Sequence, residues 1–281
     1  MSVSYKYKKM KAKFHPVQAV PGKYLANSKI RKTGCRKFGI PSVLYICLSI
    51  ICWAQASLLF SACSASDGWS SEEKAIIGTA HGALKDANSP VDATTPPMRV
   101  LTIEDAEDSL FLRQQCKDFT PEMLASPEFA ALSELLLATV QHPTQDGVGI
   151  AGPQVGISRR VVAVQRFDKP GEPFEVYPNV QIVGWRGELS SGPEGCLSVP
   201  GLRGSVLRYR DIDIQYTLVS PAGSSASNSS AGRAPRIRPA LRDTTERIQG
   251  FTAVIFQHEC DHLDGVLYID KVIPGSLQNR N

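Results

Sequence analysis

The segment Gly250-Phe-Thr-Ala-Val-Ile-Phe-Gln-His258-Glu259-Cys260-Asp261-His262-Leu-Asp-Gly265 decides how the chain folds, because it predicts a buried helix with the pattern His-Glu-x-x-His. Residues four apart on an α-helix lie on one face, so the imidazoles of His258 and His262 can reach one metal ion. Glu259 lies beside them, where its carboxylate can exchange protons with a water at that metal. Gly265 suits the end of the helix. A core helix that holds two histidines by chance is the alternative.

A catalytic metal site needs a third protein ligand besides two histidines. One metallopeptidase group has a His six residues after the second, where this chain has Tyr268. Another uses a downstream Glu, but none follows Glu259. The third ligand is therefore expected upstream, and the best candidate is Cys196, which lies in a Gly/Pro-rich turn and can offer a thiolate. An inert buried thiol is the alternative. Cys260 is not expected to be a ligand, because it points to another helix face.

A third segment, Gly147-Val-Gly-Ile-Ala-Gly-Pro-Gln-Val-Gly156, forms a glycine-rich turn. It lacks the Lys-Ser/Thr of a P-loop and the glycine spacing of a dinucleotide-binding fold. By itself it indicates only that the backbone approaches a neighbour closely.

The three segments in this order, G-V-G-I-A-G-P-Q, E-G-C-L-S and Q-H-E-C-D-H-L-D-G, resemble the signature motifs of the peptide deformylases, over about residues 99–273. Enzymes of that family hydrolyse the formyl group from the N-terminal formylmethionine of newly made bacterial and organellar proteins. Short β-branched runs before one late helix also favour an α+β fold. We expect antiparallel sheets packed around the C-terminal metal-binding helix.

The resemblance implies one divalent metal ion, with Fe²⁺ expected and Zn²⁺, Ni²⁺ or Co²⁺ as alternatives. It implies three metal ligands, which are Cys196, His258 and His262. It implies three groups that act on the reacting atoms, which are the Glu259 carboxylate as acid and base, the Gln154 amide and the Leu197 N–H. It implies three substrate contacts, which are Val148, Gly149 and Arg203.

Gly152 departs from the family pattern, because the family more often has Ala at this position. We expect the glycine to loosen the turn slightly without removing a catalytic group. Two other functions stay open at this point: a zincin-like metallopeptidase, and a non-catalytic binding protein that retains the deformylase fold. Loss of a ligand, of Glu259 or of Gln154 would mark such a binding protein, and none is lost.

The first third of the chain differs in composition from the rest. Residues 1–66 hold 11 of the 31 basic residues and no acidic one, so the remainder has 20 basic against 27 acidic residues and DNA is not an expected partner. Residues 1–37 form a basic leader, and 38–66 are uncharged and resemble a secretory signal or membrane anchor. If residues 1–66 are translated, we expect an anchored or exported enzyme, with Cys63 as a candidate lipidated residue. If translation instead starts at Met98, the function of the family implies a cytoplasmic, bacterial-type enzyme.

The remaining boundaries follow from composition and from the resemblance. Residues 67–97 are small and polar and predict a flexible linker. The catalytic domain is expected over 98–275, with a Ser-rich flexible insertion at 221–242 and a tail at 276–281. We expect a monomeric catalytic domain that acts on N-formylmethionyl nascent peptides, with the ribosome as a further partner and membrane contact only through residues 38–66.

Overall fold

The computed structural model describes residues 68–86, 95–220 and 239–280. The predicted leader, the anchor-like segment and Cys63 lie outside these residues, as does most of the predicted insertion. No α-helix within the described ranges is both long and apolar enough to cross a membrane.

The described residues form five α-helices, two short 3-10 turns and seven strands. The helices are α1 Ser71–Lys85, α2 Ala106–Leu112, α3 Pro121–Leu124, α4 Pro127–Val140 and α5 Gly250–Leu263. The 3-10 turns are Gly152–Val155 and Tyr268–Asp270. The strands are β1 Gly149–Ala151, β2 Val161–Gln165, β3 Phe174–Pro178, β4 Gln181–Cys196, β5 Val199–Ser220, β6 Ala240–Gln249 and β7 Gln278–Asn279.

Two antiparallel sheets surround the C-terminal helix. One sheet has the order β1-β2-β3, and the other has the order β4-β5-β6 with β7 paired to β5. Helix α5 contacts strands of both sheets. Its apolar side chains, among them Ala253, Ile255 and Phe256, are buried with Val162 and Ile212 from the two sheets. The α+β architecture around a central C-terminal helix is therefore confirmed.

Helix α4 begins with a capped first turn. The hydroxyl of Ser126 accepts a hydrogen bond from the N–H of Phe129 and Pro127 occupies the first turn, which is a favourable helix start. Leu132, Leu136 and Val140 are buried along one side of the helix. This helix closes the core on the side of the first sheet.

The prediction of a flexible linker over residues 67–97 is wrong for residues 71–85, which form α1. Ser70 and Glu73 cap this helix reciprocally, each side chain bonding the other's backbone N–H at 2.9–3.0 Å. Trp69 and Ile77 are buried in the core. The small and polar composition of residues 67–97 did not reveal this helix. A capped helix needs only a few apolar residues, on the face that packs against a larger domain, to stay in place.

Two further boundaries also differ from the prediction. Residues 240–242 are not insertion but the start of β6, because Leu241 pairs with Val219 and packs partly against the core. The predicted tail at 276–281 contributes β7, whose Gln278 pairs with Arg203 on β5. In both places the sheet supplies backbone partners that the local sequence does not reveal.

Candidate metal and catalytic site

Helix α5 presents the His-Glu-x-x-His pattern from inside the domain. The helix ends at Leu263, and Gly265 follows with φ +72°, donating its N–H to the His262 carbonyl. A Cβ at Gly265 would overlap the Arg113 carbonyl, so this end of the helix needs glycine. The predicted helix end is confirmed.

The structure brings the three predicted metal ligands together. One ligand atom from each of Cys196, His258 and His262 lies within 4.8 Å of the others, and Cys196 Sγ is 3.2 Å from His262 Nε2. Cys196 ends β4, at the tight turn into β5. Cys260 is buried outside this group, and burial raises the pKa of its thiol to about 12. Like Cys116, whose thiol is also buried, Cys260 is a core residue.

A buried ionic network holds His258 from behind. Its Nδ1 is 2.8 Å from Glu194 Oε2, which leaves Nε2 as the nitrogen available to the ligand group. Arg208 donates two hydrogen bonds to Glu194, at 2.8 and 3.0 Å, and a third to Asp261. Burial alone would raise the pKa of Glu194, but hydrogen bonds from His258 and Arg208 lower it to about 2, so the carboxylate is ionised.

Glu194 and Arg208 were not predicted from the sequence. Glu194 stands two residues before Cys196, and alternate residues of a strand face the same side, so this spacing could have indicated that both reach α5. A register shift between the two residues further shapes the end of β4. Arg208 gives no such signal, because its partners depend on the pairing of β5 with β4.

The Glu259 carboxylate is buried against the backbone of β1. A Cβ built on Gly149 would lie 2.5 Å from Glu259 Oε1, so the carboxylate fits only because this residue is glycine. Burial raises the pKa of Glu259 to about 7. Its Oε2 has no hydrogen-bond partner among the described residues. A buried oxygen of this kind requires a polar group, so the position suits a water or a substrate atom.

The Gln154 amide is fixed on the 3-10 turn and points at the ligand group. Its Oε1 accepts the N–H of Ala151 at 2.8 Å, and its Nε2 donates to Ser198 Oγ at 3.1 Å. Nε2 also lies 3.6 Å from Cys196 Sγ. Ser198 is fully buried and had not been singled out in the sequence, although it belongs to the E-G-C-L-S segment.

Gly152, on the same turn, is more tightly packed than expected. A Cβ at this position would lie 2.7 Å from the Arg159 carbonyl oxygen and 2.8 Å from that of Ile157. Backbone oxygens cannot move away as a flexible side chain can. This glycine therefore permits a close backbone approach, and its expected loosening of the turn stays a prediction.

The three other predicted residues differ in burial and in their neighbours. Leu197 stands between Cys196 and Ser198, half-buried against Gly147. Val148 is half-buried beside the α5 cluster, and its carbonyl accepts the N–H of Gln165 at 2.8 Å. Arg203 is exposed on β5.

The donor chemistry fits a divalent metal ion. One sulfur and two imidazole nitrogens form the soft and borderline donor set that Fe²⁺ and Zn²⁺ accept. The ionised Glu194 orients one imidazole, as carboxylates do behind metal-binding histidines.

Comparison with known proteins agrees with this arrangement. The sequence profile described as "Polypeptide deformylase" matches residues 98–223 and 240–277. "Peptide deformylase 2" of Bordetella bronchiseptica is 36% identical over 157 residues, covering 54% of this chain and 77% of that protein. "Peptide deformylase 2" of Nostoc is 41% identical over 143 residues, covering 49% of this chain and 68% of that protein.

A solved structure, that of peptide deformylase from Thermotoga maritima, is 29% identical and covers 63% of this chain and 98% of its own, with a TM-score of 0.48. The profile match extends over more than half of the sequence and includes all three motifs. The chain therefore belongs to the polypeptide deformylase family, whose members are hydrolases that use a metal ion and act on peptides.

Proposed function

We propose that this protein hydrolyses the formamide bond of N-formylmethionyl peptides and releases formate, at a divalent metal held by Cys196, His258 and His262. The observation that carries the proposal is the convergence of these three ligand atoms within 4.8 Å, on segments that belong to the matched family. When bound, such a metal lowers the pKa of a water molecule and stabilises negative charge on the carbonyl oxygen. We propose Fe²⁺ as that metal, because the family resemblance favours it over Zn²⁺, Ni²⁺ and Co²⁺.

Glu259 is the proton carrier in this proposal. A group whose pKa is near the working pH both accepts and donates protons efficiently, and burial raises the pKa of this carboxyl to about 7. It takes a proton from the attacking water and passes it to the departing amine. Close packing on Gly149 limits where the carboxylate can lie.

Gln154 and Leu197 donate hydrogen bonds to the developing oxyanion. The Gln154 side chain is already oriented, because its Oε1 is held by the Ala151 N–H and its Nε2 faces the Cys196 sulfur. A donor fixed before the reaction needs no reorganisation, and loss of one such donor typically lowers kcat by about 10²–10³. The N–H of Leu197, next to Cys196, is the second donor.

The substrate is held by apolar and backbone groups. Val148 and Ile255 line the pocket for the methionine side chain, and the backbone of Gly149 bonds the peptide. Ile255 packs at Gly149, since its Cγ2 lies 2.9 Å from the place of a Cβ there. Exposed Arg203 holds the peptide further from the reacting bond.

The proposal extends to partners and domain organisation. The substrates are newly synthesised formylated chains, met at the ribosome, and the catalytic domain acts as a monomer. The catalytic domain consists of residues 98–275 together with α1 and β7, which lie outside that range. Where the enzyme works in the cell depends on residues 1–66.

Formate release from formyl-Met-Ala-Ser tests the reaction, with the full chain purified without oxygen and loaded with Fe²⁺. We expect formate from the parent protein and a loss of about 10²-fold or more in Glu259→Ala, as for removal of a general base. Folded, metal-loaded protein that releases no formate would contradict the proposal and favour the binding-protein alternative. Cleavage between amino acids of the peptide would favour the metallopeptidase.

A matched pair of cysteine variants tests the ligand set. Cys196→Ser and Cys260→Ser make the same chemical change at two buried thiols, one inside and one outside the ligand group. We expect bound metal per chain to fall sharply only in Cys196→Ser. Equal metal content in both variants would refute the ligand assignment while leaving the reaction untouched.

A further inference from the structure

Helix α1 lies upstream of the region that matches the family, which starts at residue 98. It is nevertheless built into the domain. The indole N–H of Trp69, just before the helix, donates to Ser126 Oγ at 3.0 Å, and its ring meets Phe119 edge to face with centroids 5.4 Å apart. Ile77 is 2% exposed. The segment thus has a defined place on the catalytic domain.

A buried ion pair joins α1 to the loop after the Gln154 turn. Arg159 Nε donates to Glu73 Oε1 at 2.8 Å, and Arg159 Nη2 donates to Glu73 Oε2 at 3.1 Å. The guanidinium and the carboxylate therefore form a bidentate ion pair. Both side chains are about nine-tenths buried. The same guanidinium also donates to the Gly68 carbonyl at 2.9 Å.

The backbone of Arg159 leads directly to the Gln154 turn. Its carbonyl lies against Gly152, the first residue of that turn, closely enough that a Cβ there would be 2.7 Å away. The N–H of Ile157 closes the turn by donating to the Gly152 carbonyl at 3.0 Å. Ile76 of α1 lies next to Gly156, with its Cδ1 3.3 Å from the place of a Cβ.

We propose that α1 is a positioning element for the reaction, which holds the Gln154 turn in place through the Glu73–Arg159 ion pair and the contact of Ile76 with Gly156. Gln154 faces Cys196 with its side chain, and the loop after its turn meets, at Gly156 and Arg159, a helix outside the family-matched region. The inference rests on the proposed function, because it assumes that Gln154 serves the reacting carbonyl. Glu73 and Ile76 are positioning residues and touch no reacting group.

The test uses the full chain with Glu73→Gln, and Glu72→Gln as its control. The one oxygen of Gln can keep the reciprocal cap, since Glu and Gln both serve at this position. Its NH2 group replaces the carboxylate oxygen that accepts from Arg159 Nε, so the variant loses the negative charge and one hydrogen bond to Arg159. Glu72 is the exposed neighbour in the same helical turn. We expect kcat to fall about three- to tenfold in Glu73→Gln with KM within about twofold, because misplacing a catalytic group by a fraction of an ångström costs rate rather than substrate affinity. Glu72→Gln should match the parent.

A double-mutant cycle separates positioning from general loss of structure. If α1 acts through Gln154, Glu73→Gln should lower kcat in the parent but cause no further loss in Gln154→Ala. Ile76→Ala, which leaves the ion pair intact, should show the same dependence with a smaller loss. An equal loss in both backgrounds, or no loss in the parent, would overturn the proposal.

Hydrogen exchange gives a readout that does not need activity. We expect the amides of Gly156 and Ile157, which close the Gln154 turn, to exchange faster in Glu73→Gln than in Glu72→Gln. Unchanged exchange at both amides would overturn the proposal even if kcat fell. Were the parent protein to release no formate, the proposed function would fail, and exchange would still decide whether α1 holds the turn.

Discussion

Replacing Gly149 with Ala tests whether the backbone of β1 sets the position of the Glu259 carboxylate. The added Cβ would lie 2.5 Å from Glu259 Oε1 and 2.9 Å from Ile255 Cγ2. To reach 3.4 Å, where ordinary van der Waals contacts begin, the carboxylate oxygen has to retreat by roughly 0.9 Å. The three metal ligands need not move, because none is among the atoms nearest to this Cβ.

The displacement has a large expected effect on rate and a moderate one on stability. A misplacement of about 1 Å at a catalytic group costs about 10²-fold in rate, so we expect kcat to fall by about that factor. Overpacking of a filled core costs about 1–3 kcal/mol, and the free energy of unfolding should fall by this amount. Metal content should stay at the level of the parent protein.

Formate release, urea unfolding and metal analysis measure the three quantities. Gly78→Ala is the control, because a Cβ at this exposed position of α1 meets nothing within 4 Å and Ala favours a helix by up to about 1 kcal/mol. The control should keep its kcat and not lose stability. If Gly149→Ala keeps kcat within about threefold of the parent, the argument that Gly149 sets the position of Glu259 is refuted.

Two further variants address the surroundings of the ligand group. Glu194→Gln removes the charge that orients His258, and we expect its metal affinity to fall about 10- to 100-fold in a competition titration. The control, Glu188→Gln, changes an exposed residue on the same strand and should bind metal as the parent does. Equal metal affinities in the two variants would show that the network does not orient the ligand. Gly152→Ala, although Ala is usual at this position in the family, should lower the free energy of unfolding by about 1–3 kcal/mol, because its Cβ meets two backbone oxygens. An unchanged urea midpoint would mean that the backbone of this turn shifts to accommodate the added Cβ at little cost in stability.

Much of the candidate site could be predicted because it depends on local geometry. His258 and His262 share a face because of the pitch of any α-helix, and Gly265 ends that helix because of its φ preference. Cys196 was a candidate because of its Gly/Pro-rich turn and the chemistry of its thiol. These properties belong to short segments and remain the same wherever the segments lie.

The interactions behind the ligands could not be predicted in this way. Arg208 reaches Glu194 only because β4 and β5 pair in one particular register, which includes irregular steps. The close packing of Gly152 was not predicted, because its neighbours are backbone oxygens of a later loop, which no local pattern reveals.

The clearest division lies between α5 and α1. By itself, the sequence determined the helix that carries the two histidines and Glu259, because its periodicity and motif are local. Only the tertiary structure decided that residues 71–85 belong to the domain, that Cys196 lies beside His262 although 66 residues apart, and that the pKa of Glu259 rises to about 7. The physical reason is that packing and burial depend on which distant segments come into contact, and those contacts form only when both sheets close around the helix.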